Sequence, residues 1–185
     1  DRIMLTIPGD PASSRAVSWR TCPSVNKTIG QITKATASPF FSDQLKTIEG
    51  SSSFWMAGDS SALGHKVIFD NLSPETMYTY RVGDGENWSE WFQFTTSSDK
   101  KQDFNFLYLG DFQNDIKQYC SRTIRQAYSH FPNADFILYA GDIVSRSTED
   151  YWNEFFYAGN WIFGTMPSVP TPGNHEYDKH GDGEP

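Results

Sequence analysis

Gly173-Asn174-His175-Glu176 concentrates the residue types in this chain that best suit metal and phosphate chemistry. Two upstream segments give it a context. Phe104 to Leu109 is an apolar run closed by Gly110-Asp111, and Phe136 to Ala140 is a second run closed by Gly141-Asp142. Each Asp is therefore expected just past the carboxyl end of a buried strand, where open α/β sheets place their ligand sites. Two carboxylates and an Asn-His pair at one sheet edge suit hard or borderline divalent cations. The natural chemistry of two such cations is phosphoryl transfer to water.

Taken singly, each motif reads as a turn, because Gly breaks a strand and Asp or Asn initiates a bend. Weight comes from the ordered set: strand-Gly-Asp, helix, strand-Gly-Asp, helix, then Gly-Asn-His-Glu. The residue types fit their places. One carboxylate shared by two cations reduces their repulsion. The Asn oxygen ligates without adding negative charge near an incoming phosphate. A His beside it can carry a proton near neutrality and serve as an acid. Glu176 either holds that imidazole or is a solvated loop acid.

This set resembles the calcineurin-like metallophosphoesterases, over about Phe104 to Tyr177. The resemblance implies two divalent metal ions (Mn, Zn, Fe or Mg) and a phosphomonoester or phosphodiester substrate. It implies that Asp111 ligates one ion, Asp142 bridges both and Asn174 ligates the second. His175 then contacts the phosphate or protonates the leaving oxygen. The stretch Gly141-Asp142-Ile143-Val144-Ser145-Arg146-Ser147 is also similar to the Gly-Asp-x-Val-Asp-Arg-Gly segment of protein Ser/Thr phosphatases. That likeness would make Arg146 a phosphate clamp, since its planar fork matches phosphate oxygens; otherwise it is an exposed loop arginine.

Departures from the family pattern are specific. Gln113 stands where many relatives carry a His, and its amide is either a neutral ligand or a hydrogen-bond partner of a ligand. Ser145 stands where purple acid phosphatases carry the Tyr that ligates ferric iron. The later Gly-His-x-His stretch of the family has no counterpart among His65, His130, His175 and His180. The expectation is an amino-terminal portion of the domain, dependent on the remaining C-terminal part and poorly active alone. The rival expectation is a catalytically inactive binding or adhesive module on the same fold.

Before Phe104 the pattern changes to short alternating runs separated by turn residues, which reads as an antiparallel β-sandwich. The runs are Met4 to Ile7, Ala16 to Trp19, His65 to Phe69, Met77 to Val82 and Ser89 to Thr95; the stretch from Asn26 to Ser61 is less regular. Tyr78, Tyr80 and Val82 should share one face, since side chains alternate along a strand. Leu72-Ser73-Pro74-Glu75-Thr76-Met77-Tyr78 resembles the Leu-x-Pro-x-Thr-x-Tyr stretch of fibronectin type III domains, which would make Tyr78 a tyrosine-corner residue and Trp19 a core indole. With Tyr80-Arg81-Val82-Gly83 and Phe92-Gln93-Phe94-Thr95-Thr96, the segment also looks like the amino-terminal domain of plant-type purple acid phosphatases.

The fold expected is multidomain: an all-β fibronectin type III-like sandwich over 1–98, followed by the first part of an α/β metallophosphoesterase domain over 103–185. A polar linker, 96–103, joins them. In the second part, Asn114 or Asp115 can cap a helix to about His130, with Ile116, Tyr119, Cys120, Ile124, Ala127, Tyr128 and Phe131 as its apolar face. Ser147 to Asp150 reads as a variant capping box. The following Trp152, Phe155, Phe156, Tyr157 and Trp161 are core packing or a substrate wall. The prolines from Pro167 to Pro172 keep the chain extended up to Gly173.

Composition excludes little beyond this. Fifteen Lys+Arg against 23 Asp+Glu give a net charge of −8, which disfavours a nucleic-acid surface. No membrane-spanning run is present in the sequence. Cys22 and Cys120 fall in different expected domains, so no disulfide is expected between them. Asn26-Lys27-Thr28, Asn71-Leu72-Ser73 and Asn87-Trp88-Ser89 match the glycosylation sequon. The domain pairing leads us to expect an exported protein, periplasmic, cell-surface or secreted.

Overall fold

A computed structural model describes residues 1–38, 44–57 and 60–177; the tail carrying His180 lies outside the described residues. The chain forms two compact units, Ile3–Gln102 and Asp103–Pro185.

The first unit is built of antiparallel strands. These are β1 (Met4–Thr6), β2 (Arg15–Thr21), β3 (Ile29–Lys34), β4 (Lys46–Glu49), β5 (Ser51–Ala57), β6 (Ser60–Phe69), β7 (Met77–Gly83) and β8 (Phe92–Thr95). They pair in the orders β5-β6-β2-β1 and β4-β3-β7-β8. Leu5, Val17, Trp19, Val67 and Phe69 of the first set pack with Ile32, Tyr78, Tyr80, Val82, Phe92 and Phe94 of the second in one buried cluster. Period-two alternation therefore delivers Tyr78, Tyr80 and Val82 to one face as read from the sequence. The Tyr78 hydroxyl accepts the Ser73 amide hydrogen at 2.8 Å, tying the strand start to the turn before it. Trp19 is buried and stacks on His65, ring centroids 5.0 Å apart.

The irregular middle contains β3, β4 and β5. Sequence patterning misses all three: the buried positions of β3 are Gly30, Ile32 and Thr33, of which only Ile32 is strongly apolar, and β4 and β5 are mostly exposed and lack an apolar alternation. Their backbone pairing to β3 and β6, rather than a buried face, holds them in the sheets.

In the second unit, β9 (Phe106–Leu109) leads through a π-helical turn (Ile116–Cys120) into α1 (Ser121–His130). Then come β10 (Phe136–Tyr139), α2 (Glu149–Gly159), the short α3 (Ile162–Thr165) and β11 (Ser168–Val169). β10 is central and parallel to both β9 and β11. The proline-rich approach to Gly173 thus contains a short strand that the sequence did not announce.

Several expectations are corrected here. β9 is covered on one side only: Leu107 is buried, whereas Phe106 and Tyr108 are 44% and 66% exposed. The buried stripe of the first helix is narrow, with Ile116 and Ile124 inside and Tyr119 and Phe131 exposed. Asp115 does sit at the helix start, but in a left-handed conformation and with no side-chain capping bond. Thr148, not Ser147, occupies the N-cap position of α2, and its side chain makes no capping bond. The Ser147 hydroxyl accepts from the Trp152 indole instead, at 3.3 Å. Phe155 is fully buried against Tyr139 and Phe163, while Tyr157 and Trp161 are exposed, so the aromatic run divides between core and surface.

Candidate metal centre

The parallel register of β9 and β10 aligns the two Gly-Asp corners. Leu109 lies opposite Tyr139, so the chains leave the sheet side by side. Pairing continues past the strands: the Ala140 amide donates to Leu109 O at 2.8 Å, the Asp111 amide to Gly141 O at 3.0 Å, and the Phe112 amide to Asp142 O at 2.7 Å. Asp111 thus stands beside Gly141, and Asp142 beside Phe112.

Both aspartates turn the chain in the left-handed region, with φ of 58° at Asp111 and 50° at Asp142; Gly141 has φ of 83°. Asp tolerates this region better than most side chains, and backbone held there clusters at functional sites. The third segment closes on Asp142. The His175 amide donates to Asp142 Oδ1 at 3.1 Å. A Cβ at Gly141 would lie 2.7 Å from the Gly173 nitrogen, and one at Gly173 would run into the Asp142 carboxylate. Glycine at both positions permits this approach.

Glu176 does neither of the things expected of it. Its carboxylate accepts the amides of Asp142 (2.9 Å), Ile143 (2.8 Å) and Val144 (3.1 Å), and also that of Gly173. The imidazole of His175 is instead held by the Ser145 main-chain oxygen, 2.8 Å from Nδ1. The Gly173-to-Glu176 bond has the spacing of half a capping box around the 3₁₀ turn Asn174–Glu176. That Gly-x-x-Glu spacing was the readable signal; the partners across in the β10 loop were not readable.

Gln113 donates from Nε2 to Asp111 Oδ1 at 2.8 Å, which makes it a hydrogen-bond partner of that carboxylate in this arrangement. Asn174 is exposed and sits between two residues that touch Asp142. Arg146 is exposed, four residues beyond Asp142 in the same loop. Among the described residues no group of three or more His, Cys, Asp or Glu is clustered for an ion. Asp111, Asp142 and Asn174 carry carboxylate and amide oxygens, donor types that fit hard divalent cations.

Residues 1–96 match the family described as purple acid phosphatase, N-terminal domain, and residues 104–185 match the calcineurin-like phosphoesterases. The chain belongs to the calcineurin-like phosphoesterases that carry a purple acid phosphatase N-terminal domain. Within this family it is similar to "Probable inactive purple acid phosphatase 1" of Arabidopsis thaliana, 26% identical over 130 residues, which are 60% of this chain and 21% of that protein. Among solved structures it is similar to "Structure of PhoD", with a TM-score of 0.59 at 14% identity, covering 95% of this chain and 39% of that one. At that identity the likeness speaks for the fold. The chain spans about a fifth of the curated relative's length. The Asp111 and Asp142 corners are joined main chain to main chain, and the Gly173–Glu176 segment is joined to the second corner through the Asp142 and Glu176 carboxylates.

Proposed function

We propose that this protein is a metal-dependent phosphoesterase acting on phosphomonoesters or phosphodiesters through two divalent ions, with this chain carrying part of the site. The supporting observation is the register-matched pair of Asp corners, bonded main chain to main chain, with the Gly173–His175 turn bonded onto the second. Asp111, Asp142 and Asn174 would hold the ions, with Gln113 steadying Asp111. When bound, such ions supply a nucleophile from water near neutral pH and neutralise phosphate charge.

The remaining work falls to side chains of the protein. The Ser145 carbonyl can only accept, so Nδ1 of His175 carries hydrogen and Nε2 is the atom that exchanges a proton with substrate. A protonated Nε2 donates to a leaving oxygen and rotates little while doing so, because Nδ1 is tethered. Arg146, exposed on the same loop, would bind phosphate oxygens as a fork.

The domains would be a fibronectin type III-like sandwich over 1–98 and the amino-terminal portion of the phosphoesterase domain over 103–185. The Tyr78-to-Ser73 bond supports the fibronectin-like reading, being the tyrosine-corner arrangement. No helix among the described residues is long and apolar enough to cross a membrane. Export is proposed from the family pairing.

A second reading is an inactive binding or adhesive module. It is favoured by the relative named as probably inactive, and by Gln113 and Ser145 at positions where family members carry stronger ligands. Hydrolysis of p-nitrophenyl phosphate and bis(p-nitrophenyl) phosphate, with added manganese or zinc, separates the two. Turnover abolished by Asp142→Asn supports the enzyme. Metal binding without turnover under every ion tried, by protein that includes the remaining C-terminal part of the domain, supports the module.

A further inference from the structure

The loop that follows β10 places three successive amides, those of Asp142, Ile143 and Val144, around one point. It begins with Gly141 and Asp142 both in the left-handed region. Convergent main-chain N–H groups of this kind form an anion-binding nest. In a phosphoesterase such a nest would ordinarily invite the substrate phosphate. Here it is filled from within: Glu176 Oε1 accepts from Ile143 and Val144, and Oε2 from Asp142 and Gly173.

We infer that Glu176 is a positioning residue that holds Asp142 and the Asn174-His175 pair in one fixed relation, by filling the nest of the β10 loop with its carboxylate. The inference rests on the metallophosphoesterase reading of the site. The physical argument is one of connectivity. Asp142 is a half-buried corner residue in the sparsely populated left-handed region, held there by its surroundings. Its amide is fixed by Glu176 and its Oδ1 by the His175 amide. The same carboxylate takes the Gly173 amide, so both sides of the site are fastened to one group. Hydrogen bonds to an ionised acceptor are the stronger kind, and four donors match the acceptor capacity of one carboxylate. A consequence follows for specificity. With its nest occupied by a negative charge, the β10 loop does not bind phosphate through its amides, so substrate phosphate must be met by side chains and ions.

The test uses the protein with Glu176→Ala and Glu176→Gln, each checked for an unchanged thermal midpoint of the rest of the chain. Amide hydrogen exchange at 142–144 and 173 is read together with manganese affinity by titration calorimetry. Glu176→Ala is expected to speed exchange at those four amides at least about tenfold and to weaken manganese binding by about 10–100-fold, the usual effect of losing a group that orients a ligand. Glu176→Gln, which keeps one acceptor oxygen, should fall between. Added formate should fill the emptied nest of Glu176→Ala and restore part of both quantities, which a loss of packing alone would not do. Unchanged exchange at 142–144, or faster exchange with unchanged manganese affinity, would overturn the inference. Wild-type protein that binds no manganese or zinc would sink the metallophosphoesterase reading, and exchange plus formate rescue would still decide whether Glu176 fastens the two segments.

Discussion

The Nδ1 atom of His175 lies 2.8 Å from the main-chain oxygen of Ser145. A carbonyl fixes the tautomer as a carboxylate would, but brings no full charge to stabilise an imidazolium. His175 is therefore steered by main chain alone at that atom. Because the contact is to main chain, substitutions of the Ser145 side chain leave it in place.

An acid role for His175 has a signature in leaving groups. With His175→Ala, hydrolysis of an alkyl phosphate should fall about 10²–10⁴-fold, the range for loss of general acid catalysis. A nitrophenyl ester, whose leaving group departs without a proton, should lose far less. Equal losses for both substrates would assign His175 to phosphate binding instead.

Asp142→Asn should separate ligation from architecture. The amide oxygen can still accept the His175 N–H, so the turn should stay folded with an unchanged melting temperature. Losing the negative charge should still weaken manganese binding by at least about tenfold. Calorimetric titration beside a thermal melt reads both at once.

Gly173→Ala is expected to damage the site as badly as a ligand change. The added methyl would collide with the Asp142 amide and with its carboxylate, whose Oδ1 accepts the His175 amide. Overpacking of this kind costs about 1–3 kcal/mol. The expected readout is a lowered melting temperature together with weakened metal binding; an unperturbed protein would mean that the Gly173–Asp142 approach is looser than described.

Iron-loaded protein should lack the strong visible band of tyrosinate charge transfer, since the resemblance to purple acid phosphatases puts Ser145 where they carry the phenolate ligand. An absorption spectrum of the ferric form checks this directly.

The first unit should lose stability in mild acid through His65. Its ring is buried, stacked on Trp19, and bonded at 2.7 Å to the Thr21 and Thr28 hydroxyls. Burial pushes the imidazole below the ordinary histidine range, with the N-terminal charge a smaller cause. The unfolded chain then binds a proton at a pH where the folded chain does not. The contribution is complete above about pH 6.5 and is lost as pH falls below it, by at most about 1.4 kcal/mol per pH unit. Denaturant melts between neutral and mildly acidic pH should show this slope, and His65→Gln should flatten it.

The sequence by itself determined what depends on local order and residue type. Alternation placed Tyr78, Tyr80 and Val82 on one buried face, and the Leu72–Tyr78 stretch anticipated the hydroxyl bond to Ser73. Apolar runs ending in Gly-Asp marked the two corners and their order along the chain. Tertiary structure decided what depends on partners distant in sequence. Strands β4 and β5 exist through pairing with neighbours, which no alternation in their own residues records. Phe106 and Tyr108 look apolar enough for a core, yet nothing in their own segment says which face is covered. Glu176 was the plainest case. A glutamate after a histidine suggests a carboxylate for the ring, but a long side chain can also turn toward amides that only folding brings near. The register of β9 against β10 and the left-handed corner at Asp142 converge three amides 32 to 34 residues away, and a carboxylate there is better satisfied by those N–H groups than by one imidazole.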